Sequence, residues 1–126
     1  MKEQTVTKKW GGELWFANND LYCGKLLWIY KGHCSSSGSF HYHKIKDETF
    51  LCISGALKID YEQDGSFFSL TLLPKQSFRV PPGMKHRFST QSDECRFIEA
   101  STTHREDDSY RCDWDAEKEV WREKAQ

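Results

Sequence analysis

The feature that most constrains this chain is its punctuation. Short runs rich in β-branched and aromatic residues recur with a turn signal about every 8–12 residues, and no strong helical period is present before residue 113. Leu21–Lys31 reads as a strand with a bulge expected at Gly24. Phe40–His43 and Glu48–Ser54 form the next pair. Ala56–Tyr61 and Phe67–Leu73 flank an Asp64-Gly65 hairpin signal. Ser77–Val80, His86–Thr90 and Cys95–Ser101 follow. The expected class is all-β, a sandwich or small barrel. At 126 residues, residues 1–126 are expected to form one domain, with residues 1–8 a flexible polar arm. For residues 113–126 two readings stand open, a short C-terminal helix or a partly ordered tail. The acidic residues there come early and the basic ones late, which suits a helix dipole.

Eighteen basic and nineteen acidic residues leave a net charge of −1, with no general attraction to nucleic acid or an anionic membrane. No apolar run long enough to span a bilayer occurs, and Met-Lys-Glu-Gln opens without an apolar stretch. Neither a membrane span nor a signal peptide is expected. Five cysteines without a CxxC pair point to reduced thiols in a cytoplasmic protein, with Cys52 and Cys95 as small core residues. Cys34 or Cys112 could serve as a reactive thiol, although no neighbour in sequence would lower its pKa.

Chemistry concentrates in His41-Tyr42-His43-Lys44-Ile45-Lys46-Asp47-Glu48, answered some forty residues later by Pro81-Pro82-Gly83-Met84-Lys85-His86. Histidines at i and i+2 share one face of a strand, and four further residues allow the chain to return a carboxylate to the same place. His41, His43, Glu48 and His86 together suit a borderline divalent metal such as Mn, Fe, Zn, Ni or Co. Four protein ligands would leave two octahedral positions for water or substrate.

The spacing (HxH, four residues, Glu, six residues, Gly55, then Pro81-x-Gly83, two residues, His86) resembles the two motifs of the cupin superfamily. Three positions depart from them: Ser35 and Lys75 stand where a glycine is usual, and Thr90 where an asparagine is. None is a ligand. The resemblance implies a double-stranded β-helix, or jelly roll, with a metal in its wide end and pairing into a homodimer through sheet edges. Lys9-Trp10-Gly11-Gly12-Glu13, Tyr22 and Gly24-Lys25 are similar to mannose-6-phosphate-isomerase-like cupins, although Lys9 replaces their usual proline. His41, His43, Lys46 and Glu48 are similar to the HxHxxKxE string of D-lyxose-isomerase-type sugar isomerases. Glu99–Arg111 is similar to the tail of the same small relatives, so the resemblance covers roughly residues 8–112.

This likeness implies a sugar or sugar-phosphate aldose–ketose isomerase. The metal would act as Lewis acid and Glu99 and Lys46 as catalytic acid/base groups. Alternation puts Cys95, Phe97, Glu99 and Ser101 on one face. Glu99 is therefore either an interior carboxylate or part of a surface salt bridge. Lys46 either reaches substrate or is solvated in a loop, and Lys25 either points inward or stands outside at a strand edge. By the same i±2 counting Phe50, Cys52, Phe88 and Thr90 line the pocket. His104 reads as a loop histidine rather than a fifth ligand. Arg111 is expected to pair with Asp107 or Asp108, with phosphate binding as its other role. Alternatives to the isomerase are an iron-dependent dioxygenase and a non-catalytic module that binds metal or a small ligand.

Overall fold

The computed structural model describes residues 2–125; Met1 and Gln126, the ends of the expected arm and tail, lie outside the described residues. Twelve strands follow in order: β1 Gln4–Lys8, β2 Gly11–Asn18, β3 Cys23–Tyr30, β4 Phe40–Tyr42, β5 Glu48–Ser54, β6 Leu57–Gln63, β7 Ser66–Leu72, β8 Ser77–Val80, β9 His86–Ser89, β10 Glu94–Ser101, β11 Tyr110–Asp115 and β12 Val120–Lys124. They pair antiparallel into two six-stranded sheets, ordered β1-β2-β3-β10-β5-β8 and β12-β11-β4-β9-β6-β7. This is the all-β architecture expected from the punctuation, in the jelly-roll form that the cupin resemblance implied.

Two rows of facing residues explain where the interior is polar and where it is apolar. Across the first sheet the register joins Trp15, Lys25, Glu99, Phe50 and Phe78, one from each of β2, β3, β10, β5 and β8. Across the second it joins Arg111, His41, His86, Tyr61 and Phe68. The apolar ends of the rows meet, with the Tyr61 ring 4.9 Å from Phe78 and 5.4 Å from Phe68. Behind them Leu27, Ile29, Leu57, Ile59, Val80, Cys95 and Phe97 complete the core. The charged ends face a cavity.

Two terminal expectations change. Gln4–Lys8 is no free arm: it pairs along its length with Gly11–Trp15, because the Lys9-Trp10 turn folds the polar residues back onto a sheet edge. The C-terminal segment forms no helix but the hairpin β11–β12. Asp115 closes its turn by accepting the Glu117 and Lys118 backbone N–H groups at 3.0 Å each. Trp114 and Trp121 then stand opposite each other, ring centroids 5.2 Å apart, and pack with Phe67 and Phe40. Cross-strand aromatic pairing outweighs a charge order that would also have suited a helix. The expected bulge falls on the partner strand, between Trp15 and Ala17. The Phe16 ring lies over Gly24, where a Cβ would stand 2.5 Å from it and the exposed ring would have to swing aside. Among the described residues no helix is long and apolar enough to cross a membrane.

Candidate functional site

The PPG turn carries His86 to its place. Met84 N–H donates to Pro81 O at 3.2 Å around Gly83, whose φ of +86° is open to glycine and strained for other residues. Gly83 N–H in turn donates to His43 O at 2.6 Å, tying the turn to the His41–His43 segment. His41 and His86 then stand as direct partners across β4 and β9, with ring centroids 4.1 Å apart.

Two of the imidazoles are oriented from behind. His43 Nδ1 lies 2.7 Å from Asp108 O and His86 Nδ1 2.9 Å from Met84 O. Each Nδ1 therefore donates its proton, and each Nε2 presents a lone pair. Those nitrogens face Glu48 Oε1 at 3.4 Å and 3.9 Å. Burial lowers the pKa of all three histidines: His86 to about 4, His41 well below the ordinary value, and His43 less so. These contacts are thus not ion pairs. Burial, with the Glu99 charge behind it, pushes Glu48 well above the usual carboxyl range. Among the described residues, His41 Nδ1, Glu48 Oε1 and His86 Nε2 are buried without a hydrogen-bond partner.

Acceptors turned toward acceptors call for a proton or a cation between them. Among the described residues no group of three or more His, Cys, Asp or Glu side chains already stands in holding geometry. His43 Nε2 and His86 Nε2, at 3.4 Å and 3.9 Å from Glu48 Oε1, stand near the separation of about 3.0–3.4 Å that two ligands on one ion at about 2.1 Å have, while the His41 ring centroid stands 4.1 Å from that of His86. Neutral imidazoles and one carboxylate fit a borderline divalent metal.

A second cluster lies alongside. Lys46, Glu99 and Lys25 are all buried, at 2%, 4% and 4% exposure. Lys46 Nζ lies 2.6 Å from Glu99 Oε2, 3.9 Å from Glu48 Oε2 and 3.0 Å from His104 Nδ1. Ser101 donates to Glu99 Oε2 at 2.8 Å. Burial alone would raise Glu99, but the Lys46 and Lys25 ammoniums and the hydrogen bonds from Lys46 and Ser101 outweigh it, lowering the pKa to about 2. Burial likewise works against the Lys46 ammonium, and the Glu99 and Glu48 carboxylates raise its pKa above the ordinary value. Glu99 thus takes the interior reading, not the surface one, and both lysines point inward. Lys25 shares the phase of Leu27 and Ile29 along β3, and its Nζ sits 3.8 Å from the Trp15 ring centroid.

Lys25, Lys46, Glu99 and His104 line a cavity of about 570 Å³ together with His41, His43, Glu48, Phe50 and Phe88. Cys52 and Thr90 do not. Both are buried one step deeper, where the core has closed: the Cys52 thiol faces Ser54 O and Gly55 O, and Thr90 donates to Ala56 O at 2.6 Å. The five cysteines are free. Burial raises both proposed reactive thiols, Cys112 to about 11, so neither is activated.

Four contributors were not read from the pattern. Trp15 and Glu13 alternate on β2, Trp15 Nε1 donating to Glu13 Oε1 at 2.7 Å; that alternation was the available signal. His104 lines the cavity, and burial, then Lys25 and Lys46, lowers its pKa to about 3. Asp108 accepts the backbone N–H groups of Lys44 at 2.8 Å, Ile45 at 3.2 Å and Lys46 at 3.0 Å. Of the two partners expected for Arg111, Asp107 and Asp108, the second is thereby spent on the turn that brings Lys46 inward, and among the described residues no ion pair joins Arg111 to either.

Neutral buried imidazoles make the metal-free chain sensitive to acid. The unfolded state takes up protons below about pH 6.5 while folded His86 does not until about 4. The His86 contribution to stability is therefore full above pH 6.5 and falls through that window. His86 alone accounts for roughly 3 kcal/mol by pH 4. Urea unfolding of chelated protein at successive pH values checks this; a midpoint constant from pH 7 to 4 contradicts it.

No protein-family profile matches the sequence, and no curated protein does. Solved structures do share the architecture. The capsular polysaccharide assembling protein CapF from Staphylococcus aureus aligns at 17% identity over 86% of this chain and 34% of that one, with a TM-score of 0.75. KdgF from Halomonas sp. aligns at 17% over 85% and 90%, TM-score 0.69. Oxalate decarboxylase from Bacillus subtilis, which carries Mn(II) centres, aligns at 13% over 87% and 30%, TM-score 0.77. The chain spans about a third of the CapF and oxalate decarboxylase chains. The chain therefore shares the jelly-roll fold of these structures, two antiparallel sheets closed around a pocket at one end.

Proposed function

We propose that this chain is a metal-dependent aldose–ketose isomerase for a small sugar or sugar phosphate, of the mannose-6-phosphate-isomerase-like or D-lyxose-isomerase-like kind. The observation carrying this reading is the buried Glu99–Lys46 pair at 2.6 Å, within 3.9 Å of Glu48. An iron-dependent dioxygenase or a non-catalytic module would need the four-residue donor set but no interior acid/base pair beside it.

When bound by His41, His43, Glu48 and His86, a divalent ion such as Mn, Fe, Zn, Ni or Co would polarise the carbonyl and neighbouring hydroxyl oxygens of the sugar. Glu99, ionised at neutral pH, accepts the proton from the carbon beside the carbonyl and returns it to the adjacent carbon. Lys46 donates to the oxygen on which charge develops, and the charge of Lys25, the cross-strand neighbour of Glu99, helps to keep that carboxylate ionised. The hydrogen bonds behind His43 and His86 fix their tautomers. Phe50, Phe88 and Trp15 keep the reacting carbons dry. We also propose a homodimer, since β7 and β8 each end a sheet with an unpaired edge.

The test is a panel of aldoses and ketoses with Mn²⁺ in D₂O, followed by NMR. Interconversion with deuterium entering beside the carbonyl supports the reading. No exchange by loaded protein, with O₂ consumed when Fe²⁺ is supplied, transfers the site to the dioxygenase class. In parallel, His86→Ala is expected to weaken Mn²⁺ binding by at least about 100-fold, beyond the usual effect of removing an outer hydrogen bond, as read by electron paramagnetic resonance.

A further inference from the structure

We infer that Arg111, Ser36 and Ser37 form an oxyanion subsite on the cavity wall, which takes the phosphate group of a phosphorylated ligand. The inference rests on the isomerase reading only in placing the other end of the ligand at the four-residue donor set.

Arg111 occupies the same row as the histidines, directly beside His41 across β11 and β4. It lines the cavity, and its Nε–H is buried without a hydrogen-bond partner. Its one hydrogen bond among the described residues is a long one, Nη2 to Ser36 O at 3.4 Å. Asp108, the carboxylate near in sequence, is committed to the Lys44–Lys46 backbone. A guanidinium on the cavity wall whose buried Nε–H has nothing to donate to is costly unless a ligand, with a shift of the side chain, supplies the acceptor.

The serine loop gives the second observation. Ser36 and Ser37 both adopt left-handed backbone with φ of 53°, and Ser39 N–H closes the turn on Ser36 O at 3.1 Å. Glycine would sit there without strain, and strain of this kind is retained where a site requires it. Ser35 spends its hydroxyl on the Phe88 N–H at 2.9 Å, whereas Ser36 and Ser37 line the cavity beside Arg111. Lys8 and Lys9 line it too. The acidic groups lining it have other partners: Glu99 has Lys46, Glu13 has Trp15 and Lys25, and Glu106 has His104; Glu48 belongs to the donor set. A guanidinium edge with two hydroxyls matches the several acceptors of a phosphate monoester better than the two of a carboxylate.

The test is a titration of the full Zn²⁺-loaded chain with inorganic phosphate, watched by NMR at the Arg111 Nε–H and the amides of Ser36, Ser37 and Gly38, with acetate as a parallel arm. The expected result is a saturable shift with phosphate. It should be weakened at least about tenfold in Arg111→Gln and in the double variant Ser36→Gly with Ser37→Gly. The glycines accept the backbone angles, so that variant loses hydroxyls without losing the turn. Three results would overturn the inference: no movement of the Arg111 signal, an equal response in Arg111→Gln (phosphate at the metal instead), or equal binding of acetate. No sugar and no turnover enter the titration, so a chain inactive on every sugar can still pass it. Failure here leaves the isomerase reading standing for unphosphorylated sugars.

Discussion

Lys46→Met is expected to cost the metal-free chain about 3–5 kcal/mol, the usual penalty for stripping one partner from a buried ion pair. The pair meets every condition for that penalty. Its atoms lie 2.6 Å apart and both side chains are at or below 5% exposure. Glu99 would keep Ser101 and Lys25 but lose its nearest charge. For a domain of this size the loss corresponds to a fall of about 10–20 °C in melting temperature. The double variant Lys46→Met with Glu99→Gln should recover most of it, because no charge is then stranded. Urea unfolding of both proteins under chelation checks the cycle. A single variant within about 0.5 kcal/mol of the parent would mean that water reaches the pair and screens it.

Glu99→Gln carries the second large effect. Removing the charge that accepts the carbon-bound proton should lower kcat by roughly 10²–10⁴-fold in protein that still folds and retains Mn²⁺, although the stranded Lys46 ammonium lowers its stability as Lys46→Met does. Because Glu99 stays ionised down to about 2, the fall of the parent rate in acid belongs to the imidazoles and not to Glu99. Steady-state rates from pH 4 to 9 separate the two. A variant with turnover within a factor of three of the parent assigns proton transfer elsewhere.

The sequence displayed whatever depends on alternation and spacing. His41 and His43 share a face by strand periodicity, and the PPG turn announces a new strand for His86. Glu99 sits in phase with Cys95 and Phe97. Lys46 was ambiguous because nothing within its own turn fixes it: the turn is held by Asp108, some sixty residues on. His104 follows the last residue of β10 and obeys no alternation, so only the closed barrel shows what it faces. The C-terminal hairpin was missed for a related reason. Its charge order suits a helix, whereas its stability comes from Trp114 meeting Trp121, Phe67 and Phe40, a set of contacts invisible until the strands are laid down. Cys52 and Thr90 show the limit of face counting, which gives direction and not depth.

The clasp made by Asp108 also sets an order of events. Its carboxylate holds the Lys44–Lys46 turn and its carbonyl steers the His43 ring, so neither group can settle before residue 108 has been made and docked. A chain still emerging from the ribosome would have most of its first sheet available while its chemistry stayed unassembled. During that interval the nascent protein would carry His41, Glu48 and His86 without a settled His43 or Lys46, and full competence would arrive late.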